Sequence, residues 1–232
     1  MEPGEFDPSN FKFSKSSVKS LLECPKRFKL EYIERKKSKP SPSAIKGTRI
    51  HNLLEKVNKK EICMTEVPAS YVPHIQNYIK FLREHKLQLP QYSEYKDIAV
   101  DIQGIHFKGI LDALFIQDGK GVLIDYKTGH IKDTMNSVRF ELQLYSALAE
   151  HSIPNLEVVR YGVLYTADGT FYSEVNDHKY EEIRMTINKV KQILEKKKMD
   201  AVTGEQCFRC FLRGFCDNYK EQTSLKNEPN KI

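Results

Sequence analysis

The 232-residue chain contains no tryptophan, no internal repeat and no low-complexity tract. It also lacks long apolar runs. Ala113-Leu114-Phe115-Ile116 is about as long as they become, whereas a membrane-spanning helix needs roughly 20 apolar residues. Met1 to Ser14 has no basic segment followed by an apolar stretch, the pattern of a secretory signal. The expectation is therefore a soluble cytoplasmic protein with no membrane partner. With 40% hydrophobic and 29% charged residues, bulk disorder and collagen-like or mucin-like chains are excluded. The length suits one domain of moderate size, or at most two small ones, and can bury a core without staples.

What is present is a surplus of positive charge and an uneven set of cysteines. The net charge of +6 permits a polyanionic partner without requiring one, and its placement matters more than its size. Lys26, Arg27, Lys29, Arg35, Lys36, Lys37 and Lys39 load the first fifth of the chain. Lys189, Lys191, Lys196, Lys197 and Lys198 form a second cluster. Solvated helix faces would account for either cluster alone. Of five cysteines, Cys207, Cys210 and Cys216 form C-x2-C-x5-C, Cys24 stands far upstream before Pro25, and Cys63 is left over. Without a secretory signal a disulfide framework is disfavoured. Three clustered thiols and one distant thiol point to a four-thiolate centre, which suits either zinc or an iron–sulfur cluster; the spacing does not choose between them.

Hydrophobic periodicity predicts a helix over Ser16 to Ile33, interrupted at Cys24-Pro25 and capped by Ser14, Ser16 or Ser17. Lys36 to Ser43 reads as a loop. Helices follow over Ala44 to Lys60 and Tyr71 to Leu87. The period then changes to two, with strands over Tyr92 to Ile102, Ile105 to Gln117 and Lys120 to Lys127. A helix over Met135 to His151 precedes strands over Leu156 to Thr166 and Thr170 to Val175, then a basic helix over Tyr180 to Lys198 and the Cys loop. The tail from Glu221 to Ile232 is polar. This order describes an α+β, or mixed α/β, domain.

The most informative stretch is Gly109-Ile-Leu-Asp112 followed by Ile124-Asp125-Tyr126-Lys127. Asp118-Gly119 between two apolar runs signals a two-residue type I′ hairpin turn. That turn sets Asp112 opposite Asp125, with Cβ atoms about 4.5–5.5 Å apart. Lys127, two residues on, shares the face of Asp125. The flanking positions are apolar: Leu111, Ala113, Phe115, Val122 and Ile124 on one face, Ile110, Leu114, Ile116 and Leu123 on the other. Two buried facing carboxylates are sensible only if a cation compensates them, and hard oxygen ligands suit Mg²⁺ or Mn²⁺. A buried Asp–Lys pair is the structural alternative. His51 sits on the second helix beside Ile50 and Leu54, with Glu55 one turn further, and reads either as a ligand or as a satisfied helix histidine.

Gly47-Thr-Arg-Ile-His51, Gly109-Ile-Leu-Asp112, Asp125-Tyr-Lys127 and Glu141-Leu-Gln-Leu-Tyr145, framed by Cys24 and the C-terminal Cys triplet, resemble the RecB-type branch of the PD-(D/E)xK nucleases. Within it the likeness is to iron–sulfur CRISPR-associated exonucleases and AddB-like relatives. Phe13-Ser-Lys-Ser-Ser17 and Leu22-Glu-Cys-Pro-Lys-Arg-Phe28 are similar to that branch's N-terminal signature, and the resemblance spans Phe13 to Asp217.

The resemblance implies a restriction-endonuclease-like core, a central mixed sheet flanked by helices, with an N-terminal helical part and a C-terminal Cys loop packed on it. It implies one domain over 1–220: a helical part at 13–90, a nuclease core at 91–200, a Cys loop at 207–216, and a polar tail at 221–232. It implies metal ligation by His51, Asp112, Asp125 and the Tyr126 carbonyl, with Mg²⁺ or Mn²⁺, and Lys127 orienting the attacking water. Cys24, Cys207, Cys210 and Cys216 would hold a [4Fe–4S] cluster, with zinc as the alternative. One departure concerns the family's Gln-x-x-x-Tyr motif, where Tyr145 fits but Glu141 replaces Gln, and Gln143 is out of phase. Glu141 could still reach the metal or its water, but a carboxylate repels phosphate. Tyr126 and Tyr145 are stacking candidates, with buried packing the commoner role for Tyr126. The implied activity is metal-dependent hydrolysis of DNA by an exonuclease favouring single-stranded or free-ended substrate, with endonuclease activity open. It would act in repair, recombination, phage replication or CRISPR adaptation, beside recombination or adaptation proteins. The alternatives are a catalytically idle nuclease-fold adaptor that binds DNA, and a zinc-ribbon-like interaction module.

Overall fold

The structure is a computed structural model describing residues 6–130, 134–178, 180–196 and 198–219. Lys197 of the second basic cluster and the polar tail 221–232 lie outside the described residues. The chain divides into two compact units. One comprises the described parts of Met1–Lys39, Gln103–Ile105 and Met185–Ile232; the other comprises Pro40–Ile102 and His106–Arg184.

In the first unit, α1 (Lys15–Glu23) starts at Ser14 through a reciprocal cap. The Ser17 N–H donates to Ser14 Oγ at 3.2 Å and the Ser14 N–H to Ser17 Oγ at 2.8 Å, satisfying two donors that the helix leaves unpaired. Cys24 is extended and ends α1. Pro25, which has no N–H to leave unsatisfied, opens the short α2 (Pro25–Phe28), and the chain continues as a π turn over Lys29–Ile33. The interruption expected at Cys24-Pro25 is therefore a real break between helices. Phe13 and Phe28, both fully buried, stack at 5.9 Å between centroids, and Phe28 stacks on Tyr32 at 5.3 Å. Near the other end of the chain, turns over Glu205–Arg209 and Arg213–Phe215 flank the fully buried Leu212. The Lys26 N–H donates to the Asp200 carbonyl at 3.2 Å, joining the two ends of the chain within this unit.

The second unit is helices on a mixed sheet. Ser41 caps α3 (Pro42–Asn58), and α4 (Val72–Glu84) follows. Strands β1 (Tyr92–Ile102), β2 (Ile105–Gln117), β3 (Lys120–Lys127), β4 (Glu157–Tyr165) and β5 (Thr170–Val175) lie side by side in that order. β2/β3 and β4/β5 are antiparallel, whereas β3/β4 are parallel. A parallel pair needs a crossover, which α5 (Met135–Ser152) supplies. Ile50, Leu54, Ile75, Tyr78 and Phe81 from α3 and α4 close over Ala113, Phe115, Ile124 and Leu164 of the sheet. α6 (Glu181–Glu195), which belongs to the first unit from Met185 onward, is shorter at both ends than expected. No helix among the described residues is long and apolar enough to cross a membrane.

Asp118 and Gly119 have φ of 50° and 77°, as a type I′ turn requires, and the ladder runs from Gln117↔Lys120 to Ala113↔Ile124. This is the expected two-residue register. Ile110, grouped with the apolar lining, is instead 42% exposed.

Gly162 sits where β5 closes in on β4. A Cβ there would lie 2.6 Å from the Tyr172 carbonyl oxygen and 2.7 Å from the Phe171 ring. Because a backbone atom cannot swing away, Gly162→Ala should destabilise the fold by about 1–3 kcal/mol, read as a lower urea midpoint with an unchanged slope.

Candidate active site

The β2–β3 hairpin carries the acidic pair. Continuing its register by one step sets Asp112 opposite Asp125. The Tyr126 N–H donates to Asp112 Oδ2 at 2.6 Å, so Asp112 leans across the ladder to the neighbouring strand. Upstream on β2, Gly109 permits the close approach of α5: a Cβ there would lie 2.8 Å from the Tyr145 ring and 3.0 Å from Leu148. The first glycine of the Gly109–Asp112 motif is thus needed for Tyr145 to pack over the strand.

His51 projects from α3 toward this pair. Its Nδ1 lies 2.8 Å from Glu94 Oε1 and 3.4 Å from Asp112 Oδ1. Among the described residues, His51, Glu94 and Asp112 are the one set of three metal-ligating side chains whose ligand atoms all fall within 4.8 Å of one another. Asp125, only 3% exposed, faces Lys127, with Nζ 2.8 Å from Asp125 Oδ2 and 3.3 Å from Glu141 Oε1. Glu141, the residue that departs from the motif, thereby pairs with Lys127, while Tyr145 one turn along α5 is buried. Gln143 is buried on the side of Arg139, Tyr161 and Glu174, consistent with its being out of phase. The buried Tyr126 ring sits edge-on to Tyr78 at 5.5 Å, so it packs in the core and does not offer a face to a base.

The electrostatics follow from concentrating acids where water is scarce. Burial raises the Asp112 carboxyl above the usual carboxylate range, and the charge of Asp125 raises it further, against the pull of His51. Burial disfavours charge on His51, but hydrogen bonds and charges from Asp112 and Glu94 overcome it and lift its pKa to about 10. Asp112 and Glu94 together thus favour positive charge at His51. Burial, then the charges of Asp125, Asp112 and Glu94, also push the Tyr145 phenol upward.

A chain of hydrogen bonds sets the supporting elements. Tyr78 Oη donates to Asn58 Oδ1 at 2.7 Å, and Asn58 Nδ2 donates to Ser93 Oγ at 2.9 Å. Ser93 Oγ reaches the Asp112 carbonyl at 3.4 Å. It links α4, α3, β1 and β2, the last three of which carry His51, Glu94 and Asp112. Glu94 has a φ of 48°, unusual for a residue with a side chain inside a strand and the kind of strain that functional sites store. The sequence reading missed Glu94. No motif marks it, and in the sequence it resembles Lys96, Asp97 and Asp101 of the same strand.

In the first unit, Cys24, Cys207, Cys210 and Cys216 line one cavity. None is in a disulfide, and the exposed Cys63 is elsewhere, 2.9 Å from Thr65 Oγ1.

Among solved structures, the chain is similar to a candidate exonuclease from Eubacterium rectale, with a TM-score of 0.58 and 14% identity over 95% of this chain and 90% of that one. It is also similar to SSO0001, with a TM-score of 0.52 and 17% identity over 90% of this chain and 87% of that one. At these identities the likeness concerns the fold. No curated protein matches by sequence. The model of one family matches residues 12–217, nearly the whole described chain, and on that match the chain belongs to the PD-(D/E)XK nuclease superfamily.

Proposed function

We propose that the chain is a Mg²⁺- or Mn²⁺-dependent DNA exonuclease of the RecB-type branch, favouring single-stranded or free-ended DNA and acting in DNA repair, recombination, phage replication or CRISPR adaptation. The observation that carries the reading is the convergence of His51, Glu94 and Asp112 beside the Asp125–Lys127–Glu141 ion-pair chain. One imidazole nitrogen and two carboxylates are a donor set for a divalent cation, and their ligand atoms converge on one point. His51, Glu94 and Asp112 would hold the ion, with Asp125 and the Tyr126 carbonyl as the further ligands that the family resemblance adds. A cation there supplies Lewis-acid polarisation of a phosphoryl oxygen and a water of lowered pKa.

The chain's own residues do the rest. Asp125 and Glu141 hold the Lys127 ammonium between them, fixing a positive group that offsets charge developing on the phosphate. Glu141 in the Gln position then acts through Lys127 and need not touch the phosphate, which answers the repulsion that its charge would cause. Tyr145 packs behind the acids and excludes water from them. The family match runs through both units, which supports treating residues 1–220 as one nuclease domain.

Asp112→Ala and Lys127→Ala should each lower Mn²⁺-dependent degradation of end-labelled single-stranded DNA by about 10²–10³-fold or more, with unchanged circular dichroism. Full activity in either variant would overturn the site. DNA binding without turnover in Mg²⁺, Mn²⁺ and Co²⁺ would instead favour the idle adaptor. Mn²⁺ at about 100 times its Kd should stabilise the protein by about 2.7 kcal/mol. Glu94→Gln should shrink that stabilisation in a thermal-shift titration, whereas an unchanged titration would remove Glu94 from the ligand set.

For the cysteine cavity we infer a [4Fe–4S] cluster, because four thiols line one cavity and the family resemblance supplies a centre of that kind there. Such a centre would close a loop over nearly the whole chain, where cross-linking gains are in principle largest. Anaerobically purified protein should be coloured, with broad visible absorbance and about four iron atoms per chain. A colourless protein containing stoichiometric zinc would replace this assignment.

A further inference from the structure

The Cys segment spends its phenylalanines on solvent. Leu212 is fully buried and anchors the segment, whereas Phe208, Phe211 and Phe215 are 64%, 49% and 45% exposed. Three exposed aromatic rings within eight residues exceed the scattered apolar exposure usual on a surface, and such patches mark interaction sites. Cations stand over two of the rings: the Arg27 guanidinium, which also pairs with Glu23 Oε2 at 2.8 Å, is 5.9 Å from the Phe211 centroid, and the Lys36 ammonium is 6.0 Å from that of Phe215. Arg213, also exposed, donates through Nη1 to the Phe208 carbonyl at 3.0 Å.

We propose that Phe208, Phe211 and Phe215, with Arg27, Lys36 and Arg213, form a stacking platform for single-stranded nucleic acid. The choice of occupant follows from charge and shape. Exposed rings bind the faces of unpaired bases, which a duplex keeps stacked inside, and interleaved cations bind the phosphates between them. An apolar protein partner would need the rings but would have to cover the exposed Lys36 and Arg213 charges as well, which is costly. The kind of partner rests on the nuclease reading, while the platform is a binding site distinct in residues from the candidate metal ligands. It gives the N-terminal basic cluster a defined task, since Arg27 and Lys36 belong to it.

The test is fluorescence anisotropy with the purified full-length protein in EDTA, which prevents cleavage. The probes are a labelled oligothymidine and an abasic oligomer of the same length and charge. Stacking is worth about 1–3 kcal/mol per base, so Phe208→Ala/Phe211→Ala/Phe215→Ala should weaken oligothymidine binding at least tenfold. Binding of the abasic oligomer should change little, and Trp at the three positions should restore affinity. Equal oligothymidine affinity in the native and triple-Ala proteins would overturn the platform. So would an equal loss for both probes, which means a disrupted loop, or a native dimer that the triple variant dissolves in sedimentation, which means a second copy covers the rings. If Asp112→Ala abolishes turnover but the triple variant binds normally, the platform falls and the nuclease reading stands. If no metal supports turnover but the rings govern oligothymidine affinity, the outcome is reversed.

Discussion

Glu94, Asp112 and Asp125 bring three carboxylates to one end of the β2–β3 hairpin, where burial leaves little water to screen them. Much of the second unit's construction answers this repulsion. His51 is drawn into the charged form against the effect of its own burial. Lys127 is held on the same face of β3 as Asp125 and is shared with Glu141. A divalent ion would take over the role of the imidazolium proton, because both satisfy the same excess of oxygen charge. Removing a cationic partner from such a site leaves an uncompensated buried charge, the costlier side of any buried ion pair.

Holding these groups in place requires rigid supports on several elements at once. The Tyr78–Asn58–Ser93 relay ties two helices and two strands together by hydrogen bonds that end on the Asp112 backbone carbonyl and leave its carboxylate unused. Gly109 admits Tyr145 close to β2, and α5, required by the parallel β3/β4 pairing, brings Glu141 one turn away. The crossover helix that completes the sheet is therefore also the element that reaches Lys127. The left-handed backbone at Glu94 departs from ideal strand geometry at the residue that faces His51.

The cysteine unit solves a different problem. Residues 205–217 form only two short turns around one buried leucine, too little apolar burial to order such a segment alone. Four thiols line one cavity in this unit, while the phenylalanines of the segment face outward.

Strand limits for β1, β2, β3 and β5 were legible from period-two patterning, and the Asp118-Gly119 turn alone set the register that opposes Asp112 to Asp125. These are local properties: turn chemistry and side-chain alternation act over a few residues and require no knowledge of the rest of the fold. Helix ends were less legible, because caps and frayed turns depend on single hydrogen bonds such as that of Ser14. Glu94 and the Lys127–Glu141 pair lie at the other extreme. They join groups 43 and 14 residues apart in the chain, through His51 to Glu94 and Lys127 to Glu141. The Glu94 contact further depends on a backbone conformation that no local preference of glutamate supplies. Motif spacing identified the acids that repel one another and named Lys127 and His51 beside them; packing of α3, α5 and β1 around the hairpin determined that Glu94 is the third carboxylate and that Glu141 shares Lys127.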